Sequence, residues 1–140
     1  SDFYRRYQDD PLIIDKWFVL EATAPHEGTL DRVRQLTLHP AFSMTNPNRV
    51  RSLITAFASA NQTQFNRKDG AGYEFIVDTV LQPDDANPQV AARMLSSFKS
   101  WRMLEPVRRS RAEAALRRVI AQPQLSRDVS DIAHRALADT

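Results

Sequence analysis

Apolar residues recur every three or four positions along nearly the whole chain. Tyr73, Ile76, Val77 and Val80 fall at i, i+3, i+4 and i+7, as do Val50, Leu53, Ile54 and Phe57. Val90, Met94, Phe98 and Trp101 form another stripe. Ala112, Leu116, Val119 and Ile120 form a fourth, and Val129, Ile132, Ala133, Ala136 and Leu137 a fifth. This spacing gives each helix one apolar face, which neighbouring helices must cover. The β-prone run Phe75-Ile76-Val77 lies inside the first stripe, so it reads as helix.

Helix starts are marked by capping chemistry. Asn46-Pro47-Asn48-Arg49-Val50-Arg51 and Asn87-Pro88-Gln89-Val90-Ala91-Ala92-Arg93 open two helices in the same way. The Asn side chain accepts from the first free backbone N–H groups, and a Pro at the first helical position loses no hydrogen bond. Asp10-Pro11 predicts a helix over 12–22, with Trp17 and Phe18 as core anchors. Residues 23–28 read as a connection, and Thr29 or Asp31 starts a short helix through Leu36. Residues 40–45 read as a loop, and 82–86 link two helices. Residues 61–72 read as the longest irregular and most mobile stretch, with Asp69-Gly70 as a turn. Glu105-Pro106 starts a further helix and Ser126 caps the last.

About seven short helices result. They predict an all-α fold, an α-solenoid or irregular bundle, with no textual repeat and no internal domain boundary over 1–140. Only three glycines are present, too few for a turn-rich β fold or a Gly-rich phosphate loop. The chain has no cysteine, which removes disulfides, thiolate metal sites and a Cys nucleophile, and permits a reducing compartment. No apolar run approaches the roughly 18 residues that cross a bilayer. The start at Ser1 reads as an excised piece of a longer protein.

Little local chemistry survives inspection. His26-Glu27 begins like the helical zinc motif, but Leu30 stands where its second His is needed. His39 and His134 share no local frame with it, and no nucleophile elbow is present. The carboxylate pairs Asp9/Asp10 and Asp84/Asp85 flank helix starts, where the helix dipole favours them. Residues 99–118 carry seven basic side chains against Glu105 and Glu113, a net +5 that leaves −3 for the remainder. This reads as a solvated face, with nucleic-acid binding as the alternative. Arg49, Arg51 and Arg93 stand near helix N-termini, where the dipole disfavours a cation. An ion pair to Asp78, Asp84 or Asp85 would explain them structurally. A fork of donors facing an anion or peptide would explain them functionally.

Several blocks together carry a resemblance. His39-Pro40-Ala41-Phe42 leading into 46–54, Asp69-Gly70-Ala71-Gly72-Tyr73, the 87–93 block and Asp15-Lys16-Trp17-Phe18 occur in order along the chain. The chain resembles the C-terminal helical domain of bacterial aminopeptidase N, a zinc alanyl aminopeptidase of the gluzincin class. That resemblance implies an armadillo-like superhelix forming the C-terminal part of a helical cap domain. It implies a full-length cytoplasmic enzyme that removes N-terminal residues from peptides. The zinc and the catalytic glutamates would lie in the catalytic domain, the cap's partner within the same polypeptide. The 140-residue piece would then be inactive, with no catalytic or metal residues of its own. Carried over motif by motif, Arg51, Gln89 and Arg93 would contact peptide substrate on the primed side. Two other classes remain open: a stand-alone helical module that binds another protein, and a nucleic-acid binder using 99–118.

Overall fold

The computed structural model describes residues 2–81, 88–123 and 125–138. Among these residues all regular structure is helical. The chain forms two compact units, within residues 1–64 and 65–140.

The first unit begins with α1 (Asp2–Tyr7), α2 (Pro11–Ala22) and α3 (Thr29–Leu36). Asp10 caps α2 as expected: its carboxylate accepts from Leu12 N at 3.2 Å and Ile13 N at 3.3 Å. Asn46 does the same for α4 (Pro47–Val50), accepting from Asn48 N and Arg49 N. That helix does not run on as plain α-helix. A π-helical segment, Arg51–Thr55, follows, and the Ala56 N–H reaches back five residues to the Arg51 carbonyl. The run ends with α5 (Ala56–Ala60). Val50, Leu53, Ile54 and Phe57 are all buried, so the expected stripe survives the change of winding. They share the unit's core with Ile14, Phe18, Ala22, Leu30, Val33 and Leu36.

His39 is caged by aromatic rings. Tyr4, Trp17 and Phe18 meet it edge-on at centroid distances of 4.4, 5.2 and 6.3 Å. Its Nδ1 accepts from the Ala41 N–H at 3.0 Å, which requires the neutral ring with its proton on Nε2. Burial lowers its pKa below the ordinary 6.5. The unfolded chain therefore takes up the proton first as pH falls. Stability from neutral His39 is complete above about pH 6.5 and is lost as pH drops through the lower folded value. We expect the melting temperature to fall as pH drops below about 6.5, and a His39→Phe chain to fall less over the same range. Thermal melts in matched buffers check this.

A single turn, α6 (Gln62–Phe65), stands where the chain passes from one unit to the next. The expectation of an irregular stretch over 61–72 is corrected here. Asn61 is buried and its amide donates to the Ala22 and Ala24 carbonyls, each at 3.0 Å. Gly72 already lies in α7 (Ala71–Leu81). Between them, Asp69-Gly70 makes the expected turn: Gly70 has φ 78°, and Asp69 accepts from the Ala71 N–H at 3.0 Å. That hydrogen bond, with help from Arg67, holds the Asp69 carboxyl below its usual range. A Cβ at Gly70 would press on the Arg111 side chain at 3.1 Å.

The second unit continues with α8 (Pro88–Leu95), α9 (Pro106–Ile120) and α10 (Arg127–Ala138). The expected cap Asn87 and the linker 82–86 lie outside the described residues. The α8 stripe outlasts the helix itself. Two 3₁₀ turns, Ser96–Phe98 and Trp101–Met103, carry Phe98 and Trp101 into the core beside Met94. Phe65, Tyr73 and Phe98 form an aromatic cluster with centroids 5.1 to 5.7 Å apart. Burial pushes the Tyr73 hydroxyl up to about 12, and it donates to Asn66 Oδ1 at 2.6 Å. Glu105 caps α9, and the N–H groups of Arg108 and Val107 hold its carboxyl below the usual range. Ser126 caps α10 through Val129 N. Taking α4 to α5 as one run, seven helical bodies of two turns or more are present among the described residues, as the sequence predicts.

Candidate functional site

The three arginines near helix starts have separate fates. Arg49 is held inside the first unit. Its Nε lies 2.8 Å from Asp15 Oδ1 and its Nη1 donates to the Ala41 carbonyl at 2.8 Å. Asp15 Oδ1 is buried and has no aligned hydrogen bond, so this contact is an ion pair through space rather than a bonded fork. The acidic partner is thus Asp15, not Asp78, which pairs with Arg118 at 2.8 Å. Asp84 and Asp85 lie outside the described residues. Two blocks that carry the family resemblance, 15–18 and 39–54, therefore meet in a structural ion pair.

Arg51 stands at the first residue of the π-helical segment and is exposed. Its Nη2 donates to Asn48 Oδ1. That contact aims the guanidinium but leaves other N–H groups free to bind. Gln89 and Arg93 sit four residues apart on α8, so they share one helix face, and both are exposed. They line an open hollow of about 360 Å³ with Ala92 and, from α10, Asp128, Asp131, Ile132 and Arg135. No described carboxylate lies within ion-pairing distance of Arg93. The structure places Arg51 in the first unit and Gln89 with Arg93 in the second.

Sequence reasoning gave Asp128, Asp131 and Arg135 on α10 no functional role. Asp128, Asp131 and Arg135 are spaced three and four apart, so a polar stripe opposite Val129 and Ala133 was available as the signal.

The basic run 99–118 is largely occupied. Arg118 pairs with Glu74 and Asp78, Arg117 with Glu113, and Arg108 with Glu105 and the Asn66 carbonyl. Arg102 stacks on the Trp101 ring at 4.5 Å and donates to the Leu137 carbonyl. Arg117 thus pairs within α9, while Arg118, Arg102 and the Arg108 contact to Asn66 tie separate elements together, so these four arginines do not form one free cationic face.

His26 is exposed and accepts from the Gly28 N–H, while His134 is exposed on α10. The described residues offer no group of three His, Cys, Asp or Glu side chains able to hold a metal. None of their helices is long and apolar enough to cross a membrane.

Comparison with known proteins adds the wider context. A family model for a domain of unknown function with ARM repeats, DUF3458_C, matches residues 1–138. Aminopeptidase N of Caulobacter vibrioides is 40% identical over 137 residues, covering 98% of this chain. The Escherichia coli aminopeptidase N is 38% identical over 138 residues, covering 99%. Each of those proteins is covered to only 16% of its own length. The crystal structure of Legionella pneumophila aminopeptidase A in complex with aspartic acid matches with a TM-score of 0.93 and 28% identity. It is covered to 16%, over 99% of this chain.

Proposed function

The chain belongs to the DUF3458_C ARM-repeat family, and from that membership we propose that it is the C-terminal part of the helical cap of a zinc aminopeptidase. The observation that carries this reading is end-to-end similarity, 36 to 40% identity over 98 to 99% of the chain, to aminopeptidase N of three bacteria. The chain spans 16% of their length, and in this reading the peptidase chemistry belongs to the remainder. The described residues do not fit a zinc site, and no step of the reaction is assigned to them. In this reading residues 1–140 form one functional cap segment of a cytoplasmic enzyme.

An exposed apolar face supports docking on the rest of the polypeptide. The helix α2 is apolar nearly all round, yet Leu12 and Leu20 remain 74% and 69% exposed, with Val19 beside them. A helix apolar on every side is normally covered on every side. The binding of nucleic acid through 99–118 loses support because four of its arginines are already tied to carboxylates, carbonyls or a ring.

Within the cap, Arg51, Gln89 and Arg93 would hold the peptide beyond the cleaved bond. Exposed guanidinium N–H groups suit carbonyl or carboxylate oxygens, and Gln89 can donate or accept. We predict that Arg93→Ala in the full-length enzyme raises KM for alanyl peptides about tenfold. That is ~1.4 kcal/mol, the scale of one charge-assisted hydrogen bond. Hydrolysis of an alanine anilide, which lacks a primed-side peptide, should change little. Equal loss on both substrates would point to misfolding or undocking instead.

A further inference from the structure

A second hollow, of about 230 Å³, adjoins the one that holds Gln89 and Arg93 and shares Ile132 and Arg135 with it. Its lining is mainly apolar and cationic. Leu95, Trp101, Ile132 and Ala136 give it an apolar floor. Lys99, Arg102 and Arg135 add three cations and Ser96 a hydroxyl, and among the described residues no carboxylate lines it. Two acids, Asp128 and Asp131, line the neighbouring hollow.

The floor and one of the cations are fixed in place. Trp101 is buried, and its indole N–H donates to the Ala136 carbonyl at 3.0 Å. The Arg102 guanidinium sits over that indole, 4.5 Å from its centre, and donates to the Leu137 carbonyl, which satisfies an open carbonyl at the end of α10. A guanidinium has five N–H donors, so this leaves several directed by a planar group that no longer rotates freely. Lys99 and Arg135 have no ion-pair partner among the described residues. Arg135 also lies in the last turn of α10, where the helix dipole favours it, but that dipole does not account for Lys99, which lies outside α10.

We propose that this hollow binds a carboxylate attached to a compact apolar group, the carboxylate meeting Lys99, Arg102 and Arg135 and the apolar group resting on Trp101 and Leu95. Two sources carry that chemistry: the C-terminal residue of a peptide, or a free small carboxylic acid. The hollow has room for one aliphatic side chain and its carboxylate.

Calorimetric titration of the full-length polypeptide tests this with N-acetyl-leucine, its uncharged amide and acetate. The N-acetyl group keeps the first two from acting as aminopeptidase substrates. The free acid should bind saturably. The amide should bind about tenfold more weakly, the loss expected for one charge-assisted hydrogen bond. Acetate, with no apolar body, should not saturate. Lys99→Glu should remove binding of the acid, and Arg135→Glu should weaken it at least as much as the change from acid to amide. Lys99 is exposed and unpaired, so its replacement leaves the fold intact. A tetrapeptide with a blocked N-terminus and a C-terminal leucine separates the sources. Tighter binding than N-acetyl-leucine assigns the site to peptide ends, and equal binding assigns it to small acids. Equal affinity for acid and amide, or acid binding that survives Lys99→Glu, would overturn the proposal.

Discussion

Replacing Arg49 by Ala should destabilise the first unit by about 3 kcal/mol, because it leaves a carboxylate stranded among poorly hydrated neighbours. Both side chains of the Arg49–Asp15 pair are mostly buried, at 12% and 19% exposure, so solvent screens them weakly. The same change frees the Ala41 carbonyl, which Arg49 also satisfies. Arg49→Lys should recover only part of the loss. An ammonium keeps the charge, but it lacks the planar reach that lets one group address Asp15 and a carbonyl together. Urea unfolding followed by circular dichroism measures both variants. A loss below about 1 kcal/mol for Arg49→Ala would place this contact with ordinary surface pairs.

Phe18→Ala should cost about as much again, roughly 3 to 5 kcal/mol, by deleting a fully buried ring and leaving a cavity. Phe18 has no exposed surface, lies 5.2 Å from Trp17 and 6.2 Å from Phe42, and forms one wall of the His39 cage. Its loss opens that cage to water. The pH dependence attributed to His39 should therefore shrink in this variant along with the stability. Melting temperatures at pH 7.5 and pH 5 measure both effects. An unaltered pH slope in a weakened Phe18→Ala chain would show that the cage does not control His39.

These two residues show what was legible in the sequence. Phe18 was read correctly as a core anchor, because its burial follows from local apolar spacing and the Asp10-Pro11 start. Arg49 and Arg51 could not be told apart, since they lie two residues apart with the same capping context. What separates them is Asp15, more than thirty positions earlier, and only the packing of α2 against the 47–60 run brings it there.

The π-helical winding at Arg51–Thr55 was hidden for a related reason. Val50, Leu53, Ile54 and Phe57 fit an α-helical stripe, and the same four are buried either way. The stretch 61–72 was misread because its polar composition suggests a loop. Asn61 is instead a buried bridge to the carbonyls at 22 and 24, a long-range contact with no local signature. The charge of 99–118 could be counted, but its partners Glu74, Asp78 and Asn66 come from other elements. Arg51 and Arg93 stand out by their places near helix starts, whereas Gln89 and the primed-side role of all three rest on resemblance. What the structure adds to them is physical setting: a guanidinium steadied by Asn48, and a shared hollow against α10.

In the proposed reading this segment shapes peptide access while the chemistry resides elsewhere in the polypeptide. The most direct test compares hydrolysis of an alanine anilide and alanyl peptides by three samples with zinc supplied. These are the 140-residue chain, an aminopeptidase truncated to lack it, and the two combined. The expected result is an inert chain that restores or reshapes peptide hydrolysis when returned to the truncated enzyme. Zinc-dependent hydrolysis by the chain alone, or a truncated enzyme indifferent to its return on every substrate, would contradict it.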